Sequence, residues 1–85
     1  MESKILIVDD DKEIRNLISV YLENEGLKTQ KAEDAIQALQ LLEEKEFDLV
    51  ILDLLMPDID GSEIHELLKI TNPEVRILFT SGVFE

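Results

Sequence analysis

Cysteine is absent from the 85 residues, so neither a disulfide framework nor a thiolate metal site is available to this chain. Basic residues are scarce: 8 against 20 acids, a net charge of −12. That balance argues against direct nucleic-acid binding by this segment and equally against an anionic membrane surface as partner. No apolar run approaches membrane-spanning length. Met1-Glu2-Ser3-Lys4 leads into a strand without the apolar core of a signal peptide, so a cytoplasmic location is the default expectation. What is present is 45% apolar residues, ordinary for a globular chain. The length allows one small domain.

Apolar runs alternate with helical periodicity. Lys4–Val8 has the β-branched character of a strand buried on both faces. Ile14, Leu17, Ile18, Tyr21 and Leu22 recur at helix spacing, with Asp11 available as N-cap and Gly26 as stop. Residues 27–31 read as a more polar strand at a sheet edge. Asp34 can cap a second helix whose inner face would carry Ala35, Ile36, Ala38, Leu39 and Leu42, ending in the charged run Glu43-Glu44-Lys45-Glu46. Residues 47–52 form the most apolar strand candidate. Turn residues fill Met56-Pro57-Asp58-Ile59-Asp60-Gly61, Ser62 can cap a third helix through Ile64, Leu67 and Leu68, and residues 75–79 form a fourth strand. The order βαβαβαβ implies an α/β fold with a parallel sheet and right-handed crossovers.

Three aspartates stand where such a sheet binds ligands, at the carboxyl ends of its strands. Asp9 and Asp10 close Ile5-Leu6-Ile7-Val8, and Asp53 closes Leu49-Val50-Ile51-Leu52. Parallel strands end on one side, so these acids can meet in space, with Thr80 and Ser81 at the same edge. Converging carboxylates repel one another, which should raise at least one pKa and invites a hard divalent cation. Blander readings remain beside this one. Asp9, Asp10 and Asp11 also suit a loop with one helix cap, Asp58 and Asp60 suit a turn, Thr80 suits an ordinary strand end, and His65 suits a solvated helix face. Asp53 is harder to explain away, because an acid abutting four apolar residues is costly to bury unpaired.

Together these segments resemble the receiver domain of bacterial two-component response regulators. The resemblance rests on Ile5–Asp11, Leu49–Asp53, Met56-Pro57, Asp60-Gly61 with Glu63, and Val75–Thr80, in the family's order and spacing. It implies a flavodoxin-like receiver fold with strand order 2-1-3-4 in a single domain spanning residues 1–85. It also implies a phosphorelay role, with Asp53 accepting a phosphoryl group from a sensor histidine kinase. Mg²⁺ would be held directly by Asp10 and Asp53, through water by Asp9, and by the backbone carbonyl of Leu55. Thr80 would be the switch hydroxyl, and Pro57 and Gly61 would shape the loop beside the acceptor. Such a module signals rather than turning over a metabolite, and kinase docking on the first helix follows by analogy.

The family also places a lysine at the end of a fifth strand, and no lysine here occupies that position. The expectation is therefore an incomplete, C-terminally truncated receiver lacking the usual last helix-strand-helix. Strand four would then be an open edge, apolar enough at residues 75–79 to drive self-association. Two other functions fit part of the pattern. A receiver-derived interaction or assembly fragment would keep the fold without phosphorylation. A phosphatase of the haloacid-dehalogenase type also uses a strand-end aspartate, but wants a second acid two residues later, where this chain has Leu55.

Overall fold

The computed structural model describes residues 3–53 and 74–80. Four strands and two helices lie within them, in the order β1 (Lys4–Val8), α1 (Lys12–Asn24), β2 (Lys28–Ala32), α2 (Ala35–Glu44), β3 (Leu49–Asp53) and β4 (Arg76–Thr80). The strands form one parallel sheet in the order β2-β1-β3-β4. The expected third helix, from Ser62 through Ile64, Leu67 and Leu68, falls outside the described residues.

The sheet separates two apolar layers, and strand alternation decides which residue joins which. Leu6, Val8, Val50 and Leu52 point to one face, where Ala38 and Leu42 of α2 and the buried Phe47 meet them. Ile5, Ile7 and Ile51 point to the other, where Ile18 and Leu22 of α1 pack. Leu6, Ile7 and Leu52 have no exposed surface. Burying each contributes about 1.5–3 kcal/mol. Ile5–Val8 is thus apolar throughout because both faces of β1 are covered there.

Cap chemistry sets the helix ends. The Asp11 carboxylate accepts from the N–H groups of Glu13 and Ile14, satisfying donors the helix leaves unpaired. At the other end Gly26 adopts φ +89°, its N–H donates to the Glu23 carbonyl, and Leu27 N–H donates to the Leu22 carbonyl. That pair of bonds closes a Schellman turn, with Leu22 and Leu27 packed in the same apolar layer. Asp34 caps α2 by accepting from Gln37 N–H at 2.8 Å. Buried Ser19 donates to Thr29 Oγ1 at 2.7 Å, since the Thr29 hydroxyl hydrogen goes to Glu23. This fixes α1 against β2.

Several boundaries differ from the sequence expectation by a residue or two. The second strand runs 28–32 rather than 27–31, the third begins at Leu49 rather than Phe47, and the fourth runs 76–80. Asp48 sets the entry to β3: its N–H donates to the Lys4 carbonyl, and its carboxylate accepts from Lys4 N–H, both at 2.8 Å. Phe47 is still buried, but from the loop. Ile36, expected on the inner face of α2, is 69% exposed. It lies about 200° around the helix from Ala38, so only one of the two can face the sheet.

Candidate phosphoryl and cation site

Asp9 follows the last residue of β1, Asp10 opens the β1–α1 loop, and Asp53 is the last residue of β3. Since β1 and β3 are parallel neighbours, with Val8 opposite Leu52, the three acids converge. One carboxylate oxygen from each lies within 4.8 Å of the others. Asp9 and Asp53 are buried and Asp10 is exposed, so the group is embedded on the sheet side and open at Asp10. Thr80 ends β4 as the register partner of Asp53, half-buried beside it. The sequence expectation that Asp9, Asp10, Asp53 and Thr80 share one sheet edge is met in the geometry. Leu55, and with it Met56, Pro57, Asp58, Asp60, Gly61, Glu63, His65 and Ser81, lies outside the described residues.

Asp9 is tied down through both its backbone and its side chain. Its N–H donates to the Ala32 carbonyl at 3.2 Å, and its Oδ1 accepts from Asp11 N–H at 2.9 Å. Burial pushes its pKa above the ordinary value of 3.8, the Asp11 N–H bond pulls the other way, and the carboxylates of Asp53, Asp10 and Asp11 add to the rise. A raised carboxylate pKa was expected, but the leading cause is desolvation, with repulsion second. Asp11 is the α1 cap, as one of the blander readings required, and does not join the cluster.

The donor set suits a hard cation. All three groups offer carboxylate oxygen, two of them are buried, and the concentrated negative charge is what Mg²⁺ or Ca²⁺ offsets. Sequence reasoning gave no role to Arg15, whose Nη1 donates to the backbone carbonyl of Asp9 at 2.6 Å. A side chain that serves a carbonyl leaves little trace in a sequence. The only signal was a cation on the first turn of a helix beginning next to the acids.

Comparison with known proteins agrees with this architecture. The family described as response regulator receiver domain matches residues 5–84. Sporulation initiation phosphotransferase F of Bacillus subtilis is 36% identical over all 85 residues, which cover 68% of that protein. Other curated relatives are longer, and the chain spans between 17% and 35% of their length. Among solved structures, a CheY-like response regulator receiver domain protein from Methanospirillum hungatei superposes with a TM-score of 0.90 at 30% identity, over 100% of this chain and 68% of that one. The response regulator TrrA from Thermotoga maritima, solved in complex with Mg²⁺–BeF, gives 0.82 at 35% identity, over 91% and 67%.

Proposed function

Because the chain belongs to the response regulator receiver domain family, we propose that it is the phosphoacceptor module of a two-component phosphorelay, with Asp53 as the acceptor. The observation that carries this is the meeting of Asp53 with Asp9 and Asp10 at the carboxyl edge of a receiver-type sheet. In the proposed step an Asp53 carboxylate oxygen attacks the phosphorus of a phosphohistidine on a sensor histidine kinase. The phosphorus–nitrogen bond breaks, its electron pair stays on the imidazole, and an acyl phosphate forms on Asp53.

Asp9, Asp10 and Asp53 would hold Mg²⁺, as the Leu55 carbonyl would by resemblance alone. When bound, the ion supplies positive charge that offsets repulsion between a carboxylate and an anionic phosphoryl group. This chain's own residues do the rest. Burial of Asp53 at the end of β3 fixes the attacking group in place. Thr80, one strand away and in register with it, offers a hydroxyl to the transferred group, so that phosphorylation reaches the surface near β4.

The β4 edge supports a second element of the reading, self-association. Among the described residues β4 pairs only with β3, and Leu78 and Phe79 are 53% and 39% exposed. An apolar strand with an open edge is a template for pairing with another copy.

Exposure to acetyl phosphate with Mg²⁺, read by intact-mass spectrometry, tests the acceptor assignment. The wild-type chain should gain one phosphoryl group, and the gain should be absent in Asp53→Asn. An unmodified wild type would remove the phosphoacceptor reading and leave a fold used for interaction alone.

A further inference from the structure

Arg15 sits on the first turn of α1 and its side chain is only 11% exposed. A guanidinium is seldom buried without partners, and among the described residues this one has two. Nη1 donates to the Asp9 carbonyl at 2.6 Å, and Nη2 stands 4.0 Å from Glu33 Oε2 in the loop between β2 and α2. Glu33 is itself tied down: its Oε1 accepts from Gln37 Nε2 at 3.1 Å, and its N–H donates to Gln37 Oε1 at 3.2 Å. Gln37 N–H in turn donates to the Asp34 cap. A continuous polar chain therefore runs from the first turn of α2, through Arg15, to the backbone of Asp9.

The atom at the end of that chain matters. The Asp9 carbonyl belongs to the planar peptide that joins Asp9 to Asp10, so fixing the carbonyl fixes that plane. On the other side of Asp9, its N–H is held by the Ala32 carbonyl. The backbone carrying two of the three clustered acids is thus clamped from both directions, against the mutual repulsion that would spread it. The planar fork of arginine suits the task, because one side chain can reach two acceptors on different loops.

We propose that Arg15 is a positioning residue for the cation site. It holds the Asp9–Asp10 peptide against the β2–α2 loop and so keeps both carboxylates within reach of Asp53. This rests on the reading that the three acids bind Mg²⁺. Groups that orient metal ligands without touching the metal commonly change affinity by about 10- to 100-fold when removed. A partner that engages Glu33 or Gln37 would, by the same route, alter the affinity of the site.

Calorimetric titration of the 85-residue chain with MgCl₂ tests this, using the wild type, Arg15→Gln, Arg15→Lys, Glu33→Gln and Asp53→Asn, with affinities referred to the fraction folded by circular dichroism. Arg15→Gln should weaken Mg²⁺ binding about 10- to 100-fold. Arg15→Lys, which keeps one donor for the Asp9 carbonyl, should recover part of that loss. Glu33→Gln should cost only about two- to fivefold, as fits a half-exposed pair. If Arg15 serves only the fold, its removal lowers the unfolding midpoint while the folded protein keeps wild-type affinity, and that result overturns the proposal. Should Arg15→Gln fail to fold, wild-type affinity in both Arg15→Lys and Glu33→Gln overturns it equally. A wild type that takes up no Mg²⁺, or one whose Mg²⁺ affinity is unchanged by Asp53→Asn, overturns the cation-site reading beneath it instead.

Discussion

Asp9 concentrates the tension in this molecule, since it is an acid held in a buried position beside two others. Its pKa is raised by burial first and by neighbouring carboxylates after that. The folded state therefore holds the Asp9 proton more tightly than the unfolded chain does. The stability this contributes is fully present below the ordinary value of 3.8 and is lost as pH rises through the higher folded value. Metal-free Asp9→Asn should accordingly be more stable than wild type at neutral pH, with the advantage shrinking as pH falls toward 3.8. Urea unfolding across that range measures it, and an advantage that grows toward acid would contradict the assignment. Asn keeps an oxygen for the Asp11 N–H bond, so the comparison isolates the charge. The same variant should bind Mg²⁺ about 10- to 100-fold more weakly if Asp9 supports the ion through an outer contact. The acids were legible in the sequence because aspartate directly after an apolar strand breaks the pattern of burial. Arg15 was not, because its partner is a main-chain oxygen that every residue possesses.

Among the elements, periodicity announced both helices, and their caps Asp11, Asp34 and Gly26 were readable from residue type alone. Periodicity does not say which apolar residues the neighbours cover. On α1, Ile18 and Leu22 pack on the sheet while Leu17 and Tyr21, next to them in sequence, are 71% and 66% exposed. On α2, Leu42 is buried and Ile36 is not. Leu42→Ala should therefore cost about 2–5 kcal/mol, within the range for core truncation. Ile36→Ala should stay within about 0.5 kcal/mol, as surface substitutions do. Chemical denaturation of the two variants side by side decides it, and similar losses would mean that the inner face has been misplaced. Strand ends slipped by a residue or two for a related reason. The true limit of β3 is set by Asp48, through bonds to Lys4 that connect residues 44 apart.

For the molecule as a whole, the alternation of elements pointed to a parallel sheet, whereas the strand order was implied by the resemblance to receiver domains, with β1 central and β2 at an edge. The polar sequence of β2 agrees with its place, as most of its residues are exposed. Among the described residues β4 lies at the other end of the strand order and is apolar at Ile77, Leu78 and Phe79, so the proposed self-association is tested there. Leu78 shares a face with Ile51 and Phe79 with Leu52, so the exposed apolar surface of β4 lies on both sides of the sheet. Light scattering should give a mass above the monomer at micromolar concentration, and Phe79→Lys should return the monomer by placing charge on the edge. A wild-type mass equal to the monomer throughout would count against pairing through β4. Among the described residues no helix is long and apolar enough to cross a membrane.

The central claim is that the fold gathers Asp9, Asp10 and Asp53 so that Asp53 alone accepts a phosphoryl group. Borohydride reduction after treatment with acetyl phosphate and Mg²⁺ tests it most directly, because an aspartyl phosphate is converted to homoserine where it formed. Peptide sequencing by mass spectrometry should find homoserine at position 53 and nowhere else, and only when Mg²⁺ was present. Homoserine at position 9 or 10, or none at all, would contradict the account.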